Sequence, residues 1–303
     1  MAIRMSNNTQ KAGFVAIVGM PNSGKSTLMN SLMGEKLSIV TPKPQTTRKN
    51  VSAILTQDES QIIFLDTPGI LRPRYEMQRS MMRFLDESLE AADIICVIWD
   101  WEKDKDNTDL LNTKFPFLEK YDSKKVLILN KIDTTNDIKN VLPAIDKFSK
   151  LEVFDEIIPL SALKSANTDS LLEIFRKYLP ESEFYYPDDI ISTLNERFFV
   201  SELIREKIFE QLKEEIPYST EVTITQFKER EKGKWFISAD ILVERQGQKG
   251  IMIGKGGTML KRIGANARKD IEAHLQAKVF LELFVKVRDD WRNKPNMLRS
   301  LGY

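Results

Sequence analysis

The octapeptide Gly19-Met20-Pro21-Asn22-Ser23-Gly24-Lys25-Ser26 constrains this chain more than any other stretch. It fits GxxxxGKS and lies between the apolar run GFVAIVG (13–19) and the helix-forming stretch STLMNSLMG (26–34). A strand before and a helix after are the context in which such a loop wraps a phosphate. Its glycines let backbone N–H groups curl around the anion, and the helix N-terminus adds partial positive charge. Lys25 is placed to reach the β- and γ-phosphates of a nucleotide, and the Ser26 hydroxyl to hold Mg2+, with Thr27 in the same turn.

Five more apolar runs follow at 50–57, 61–66, 93–100, 125–130 and 156–161, most of them separated by amphipathic stretches. That alternation predicts an α/β fold, a mostly parallel six-stranded sheet with helices on both faces. The second half has a different order: a helix over about 192–215, strands 221–229 and 234–244, a Gly- and Lys-rich loop, a helix over 258–275 and a strand 278–287. A second, α+β domain is therefore expected, consistent with 303 residues exceeding one hydrophobic core. The boundaries read as a disordered extension 1–11, a nucleotide domain 12–180, a linker 181–191 around PESEFYYPDD, and a C-terminal domain 192–303.

Three further motifs sit at strand ends. Asp66-Thr67-Pro68-Gly69 closes the third strand, where a carboxylate suits a water-mediated Mg2+ contact and the Gly69 N–H can sense a γ-phosphate. Asn130-Lys131-Ile132-Asp133 follows the fifth strand and Ser161-Ala162-Leu163 the sixth. The Asp133 carboxylate can accept from guanine N1 and N2, which adenine cannot match, so the nucleotide is GTP. Lys131 would lie along the base, Asn130 would brace the loop, and Ser161 to Leu163 would offer backbone N–H to guanine O6. The segment 37–50 occupies the position of a mobile switch; Thr46 and Thr47 are candidates for a second Mg2+ ligand, with Thr47 preferred. Catalysis is assigned to Asn22, Lys25, Thr47 and Gly69. Ile70 stands where many switch GTPases carry a water-orienting Gln, so a slow intrinsic rate is expected. Asn22 either gives its amide oxygen to a monovalent cation or only stabilises the turn.

Composition narrows the chemistry. One cysteine, Cys96, and one histidine, His274, cannot build a zinc site of the usual ligands or a His-based triad. Cys96 lies in an apolar run and reads as core. No run of about 18 apolar residues occurs, and the first dozen residues are polar, which predicts a cytosolic protein. The net charge of +1 hides a split: residues 1–189 sum to −4 and 190–303 to +5. Arg245–Lys269 holds seven basic residues and no acidic one.

At the head of that stretch, Gly254-Lys255-Gly256-Gly257 matches the GXXG loop with which KH domains clamp single-stranded RNA. Lys249, Ile253, Lys261, Arg262 and Arg268 join it as candidate RNA contacts. Ile251, Met252 and Ile253 are candidates for an apolar floor, whereas Phe280, Leu283 and Phe284 read as core. The acidic segment 100–109 touches no motif and is given no function.

Over nearly its whole length the chain resembles the bacterial Era GTPase family, on GMPNSGKSTL, PQTTR, DTPGI, NKID, PLSAL, QKGIMIGKGG, VKVRDDWRN and the terminal LGY. Met20 and Ser23 depart from the Arg and Val more usual in that phosphate loop. The resemblance implies a type II KH domain, GTP or GDP with Mg2+, and small-subunit (30S) maturation through the 3′ end of 16S ribosomal RNA. It implies that GTP favours the RNA-competent arrangement, that Asn22 binds K+, and that hydrolysis proceeds with a hydrophobic residue at Ile70. A monomer, with peripheral contact at the cytoplasmic face of the inner membrane, is also implied. The competing readings are a GTPase of tRNA modification, which lacks its folate-binding module here, a lipid-surface regulator, and a non-catalytic RNA module. The Gly-rich opening of 254–269 suits RNA better than an amphipathic lipid anchor.

Overall fold

A computed structural model of the protein describes Gln10–Tyr303 apart from Asn136. Most of the N-terminal extension lies outside these residues, but Lys11, expected in it, opens a strand. The chain forms two compact units. The first comprises the chain up to Ser38, Thr47–Arg72 and Met82–Thr193; the second comprises Ile39–Thr46, Pro73–Met81 and Leu194–Tyr303.

The first unit is built on β1 (Lys11–Gly19), β2 (Val51–Gln57), β3 (Ser60–Asp66), β4 (Ile94–Asp100), β5 (Lys124–Asn130) and β6 (Glu156–Pro159). Their order is β2-β3-β1-β4-β5-β6, with only β2 antiparallel to its neighbour. Every residue of β4 is buried, as a strand covered on both faces requires. The helices are α1 (Lys25–Met33), α2 (Glu76–Ala91), of which the part from Met82 onward belongs to this unit, α3 (Trp101–Asp104), α4 (Thr108–Lys114), α5 (Leu142–Ser149) and α6 (Thr168–Tyr178). Leu85 and Leu89 of α2, Trp99 of β4 and Phe148 of α5 close one face of the sheet, and Phe175 of α6 meets Phe64 on edge at 5.9 Å. Because β1 is flanked by β3 and β4, the sheet changes direction beside it, and the loops leaving its C-terminal edge open a crevice there. All four nucleotide motifs leave strands at that edge.

The expected linker is held along this sheet. Buried Gln61 donates to the Tyr186 carbonyl at 2.8 Å and accepts from its N–H at 3.0 Å, and Ile54 N–H donates to the Ile191 carbonyl.

The second unit contains β7 (Glu221–Lys228), β8 (Trp235–Val243) and β9 (Val279–Val287), with helices α7 (Glu196–Gln211), α8 (Gln246–Ile253), α9 (Thr258–Leu275) and α10 (Pro295–Ser300). β7 pairs antiparallel with β8, which pairs parallel with β9. A parallel pair needs a crossover, and α8, the glycine loop and α9 supply it. Ile204 and Ile208 of α7, Ile263, Ala267 and Ile271 of α9 and Ile237, Ala239 and Ile241 of β8 form the core. Within this unit Lys43 donates to the carbonyls of Phe209 and Leu212 at the end of α7, and buried Arg205 donates to the Thr46 carbonyl.

Candidate nucleotide and nucleic-acid sites

Gly24 has φ 105°, a left-handed conformation suited to glycine, and a Cβ there would come within 2.2 Å of Asn130 Nδ2. It delivers the chain into α1 with no side chain capping the helix, so the first N–H groups face the loop's interior. Lys25 is buried and bends over the loop, donating to the carbonyls of Gly19 at 3.2 Å and Met20 at 3.0 Å. Burial lowers its pKa to about 8, against the opposing pull of the Asp66 carboxylate. Asn22 is exposed at φ 65°.

A cluster of oxygens lies beside Lys25. The Ser26 and Thr47 hydroxyls are 2.9 Å apart, and Thr47 and Ser38 donate to Asp66 Oδ2 at 3.3 and 2.9 Å. Asp66 is fully buried, which raises its pKa, and its Oδ1 has no hydrogen-bond partner among the described residues. Hydroxyls and a carboxylate around an orphaned buried oxygen form a hard-oxygen donor set that fits Mg2+. Of the two threonines, Thr47 belongs to this cluster, while the Thr46 hydroxyl donates to the Lys43 carbonyl and meets that of Thr41. The sequence preference between adjacent threonines is thus a matter of which way each points, and Thr46 is turned away from the oxygens. Ser38 has no motif and was missed.

Thr67 donates to the Ile17 carbonyl at 2.7 Å, and buried Pro68 carries the chain past it. At Gly69 a Cβ would meet Pro21 at 3.0 Å, so only glycine brings this backbone so near the phosphate loop. Ile70 N–H donates to the Gly19 carbonyl, and the Ile70 side chain packs with Met20 against the apolar cluster. It orients no water.

A cleft of about 250 Å3 is lined by Gly24, Thr27, Asn130, Lys131, Asp133 and Ala162, together with Glu102, Thr134 and Leu163. Asn130 donates to the Ser23 carbonyl at 2.8 Å and accepts from Ala162 N–H at 3.0 Å, joining three motif loops. Ser161 donates to Asp133 Oδ1 at 2.6 Å and fixes the carboxylate. The segment 100–109 does touch a motif: Lys131 Nζ lies 2.6 Å from Asp100 Oδ2. No sequence signal marked this contact, since Asp100 and Glu102 stand in an otherwise unpatterned acidic run.

In the second unit Gly254, Gly256 and Gly257 all have positive φ (75°, 60° and 78°). A Cβ on Gly254 would strike Met259, whereas Gly256 and Gly257 face open space, and Lys255 is exposed between them. α9 begins at Thr258 with no side-chain cap, so its N–H groups can meet a phosphate. A groove of about 480 Å3 continues from the loop, bounded by Gly257, Lys261, Gly264, Ala265 and Arg268 and floored by Leu281 and Leu283. A Cβ on Gly264 would be 3.2 Å from Leu283 Cδ1, so α9 approaches β9 closely there.

The helix sorts the expected basic contacts. Lys261 and Arg268, seven apart, share the groove face. Arg262, one step on, points to Gln211 Oε1 at 3.0 Å and is absent from the groove lining. Lys249 on α8 is half-buried and also outside the lining, and Ile253 packs on the core. Met252 is core; Ile251 is exposed. Leu283 packs against the core, as expected, and also lines the groove, whereas Phe280 and Phe284, expected in the core, are about half exposed, because they alternate to the face of β9 opposite the helices. The 3- and 4-residue spacing of Lys261, Gly264, Ala265 and Arg268 is the signal that separates groove residues from Arg262.

Along nearly its whole length the chain is similar to known proteins. A family model described as a 50S ribosome-binding GTPase matches residues 14–131, and a KH-domain model matches 215–292. The GTPase Era of Clostridium botulinum (strain Hall) is 45% identical over 296 residues, covering 97% of this chain and 98% of that protein. That of Clostridium perfringens (strain 13) is 44% identical over 299 residues, with the same coverage. Among solved structures, Era in complex with MgGDPNP and nucleotides 1506–1542 of 16S ribosomal RNA superposes with TM-score 0.91 at 42% identity, covering 97% of this chain and 99% of that one. An Aquifex aeolicus Era variant bound to GDP and AlF4− gives TM-score 0.89 at 41% identity, with the same coverage.

Proposed function

This chain belongs to the Era GTPase family, and we propose that it is a nucleotide-controlled switch that grips the single-stranded 3′ end of 16S ribosomal RNA during maturation of the small ribosomal subunit. It is a GTPase that uses GTP or GDP with Mg2+. The GTPase domain is taken as 12–180 and the KH domain as 192–303, joined through 181–191. The cytoplasm, where the ribosome is assembled, is its proposed location. Among the described residues no helix is long and apolar enough to cross a membrane.

In this reading Ser26 and Thr47 would hold Mg2+ by their hydroxyls and Asp66 would hold it through water, and the ion would supply counter-charge to the nucleotide phosphates. Lys25 leaves its two loop carbonyls for the phosphate oxygens. Gly69 presents its N–H to the γ-phosphate. With Ile70 unable to orient the attacking water, Asn22 holds a monovalent cation beside the phosphates, and the intrinsic rate is slow. Asp133 and Lys131 read guanine, and Ala162 and Leu163 face its O6. At the RNA site, Gly254 to Gly257 and the start of α9 hold the sugar–phosphate backbone, Lys261 and Arg268 add charge, and bases lie on Leu281 and Leu283. GTP favours the RNA-competent state of the switch.

The observation that carries this reading is the glycine loop at positive φ opening onto a basic-edged, leucine-floored groove, in a chain that also holds the complete GTP motif set. It is tested by Lys255→Asp with Gly256→Asp, which should abolish binding of a 16S 3′-end RNA while GDP affinity stays unchanged. Loss of both, or of neither, overturns it.

A further inference from the structure

The start of the acidic segment 100–109 is built into the base cleft. β4 ends at Asp100, in register with Asn130 at the end of β5. Its carboxylate is buried and both oxygens are engaged. Oδ1 accepts from Lys103 N–H at 3.2 Å and caps α3, and Oδ2 accepts from Lys131 Nζ at 2.6 Å. Lys131 itself sits at φ 68°, ψ 32°, a backbone region that residues other than glycine adopt infrequently. The turn behind Asp100 is pinned in its own right. The Trp99 indole donates to the Lys105 carbonyl at 2.8 Å, and the Lys105 ammonium lies 5.1 Å from the Trp101 ring centre. Lys131 lines the cleft with Asp133 and Glu102, so its stem is a wall of the pocket.

We propose that Asp100 is a positioning residue for nucleotide binding: its carboxylate anchors the Lys131 ammonium, so that the lysine stem stands as a preformed wall for the guanine ring. A lysine on a loop otherwise samples many rotamers, and fixing one before the ligand arrives removes that ordering cost from binding. This rests on the base-site reading of Lys131 and Asp133. The bland alternative is that the ion pair only braces the ends of β4 and β5.

A double-mutant cycle in the full chain separates the two. Asp100→Asn keeps an oxygen to cap α3 and loses the charge; Asp100→Ser, whose hydroxyl also caps a helix but is too short to reach Lys131, serves if the first variant folds poorly. The dissociation constant of fluorescent GDP should rise about tenfold in Asp100→Asn, equivalent to about 1.4 kcal/mol. Lys131→Ala should cost more, and the double variant no more than Lys131→Ala alone. The KM for GTP should rise with kcat within about twofold, and the melting temperature without nucleotide should stay put. Additive losses, or GDP affinity unchanged in Asp100→Asn, overturn the inference. GDP affinity unchanged in Lys131→Ala overturns the base-site reading itself, which is a different failure.

Discussion

Asn130 donates to the Ser23 carbonyl at 2.8 Å, so the loop that reads the base is fastened to the loop that holds the phosphates. Its amide oxygen takes the Ala162 N–H, and the three loops hold one register through a single side chain. Asn130→Ala would leave a buried carbonyl and a buried N–H unpaired, each costing roughly 1–3 kcal/mol. Melting temperature and GDP affinity should fall together in this variant, measured by calorimetry and GDP titration. Loss of affinity without loss of stability would mean that Asn130 touches nucleotide rather than bracing the loops.

Asp133 is held by Ser161 at 2.6 Å with its carboxylate in the cleft. Asp133→Asn should reverse the hydrogen-bonding demand and favour xanthine nucleotides. Guanine affinity should drop on the order of 10^4-fold, as a site that leaves a buried polar group unpaired discriminates strongly. Competition between GDP and XDP for the variant checks it; a retained preference for GDP contradicts the assignment.

Lys25 gives a pH signature. Burial lowers its pKa from 10.5 to about 8, so between those values the unfolded chain holds the proton that the folded one releases. Its contribution to stability therefore rises with pH across that window, by roughly 3 kcal/mol, and the cost of burying its charge is fully present below about pH 8. Phosphates supply the missing counter-charge and restore the proton. GDP affinity should accordingly weaken as pH climbs above 8, with proton uptake on binding. Lys25→Arg, charged throughout, should flatten the profile. Titration calorimetry in buffers of different ionisation enthalpy reads the uptake directly.

Asn22, exposed at φ 65° in the phosphate loop, predicts a cation dependence. Hydrolysis should run about tenfold faster in K+ than in Na+, a transition-state difference of about 1.4 kcal/mol, and Asn22→Ala should erase the difference. Equal rates in the two salts would leave Asn22 as a turn residue only.

The architecture was legible because apolar runs and glycine punctuation are local signals. β1, the phosphate loop and α1 follow from residues 13–34, and the strand–strand–helix–strand order of the second unit follows from its apolar runs and glycine loop. What the sequence did not disclose are relations between a motif residue and a distant residue on no motif. Ser38 reaches Asp66 from the loop after α1, and Asp100 reaches Lys131 through a sheet register that brings the ends of β4 and β5 side by side. Likewise a list of basic residues cannot tell Arg268 from Arg262 until helical phase is imposed, and Phe280 and Phe284 look like core until the unpaired face of a three-stranded sheet is known. The path of 181–191 was likewise hidden, since nothing in its proline and polar residues tells that Gln61 of β3 and Ile54 of the edge strand β2 hydrogen-bond to it.

The central claim is that one chain joins a GTP site to an RNA groove whose grip depends on the nucleotide. Its most direct test is the affinity for a short RNA matching the small-subunit 3′ terminus, measured at one fixed salt concentration with a non-hydrolysable GTP analogue, with GDP and without nucleotide. The account predicts binding at least tenfold tighter with the GTP analogue than with GDP, a coupling of about 1.4 kcal/mol. Equal affinity in all three states would contradict it.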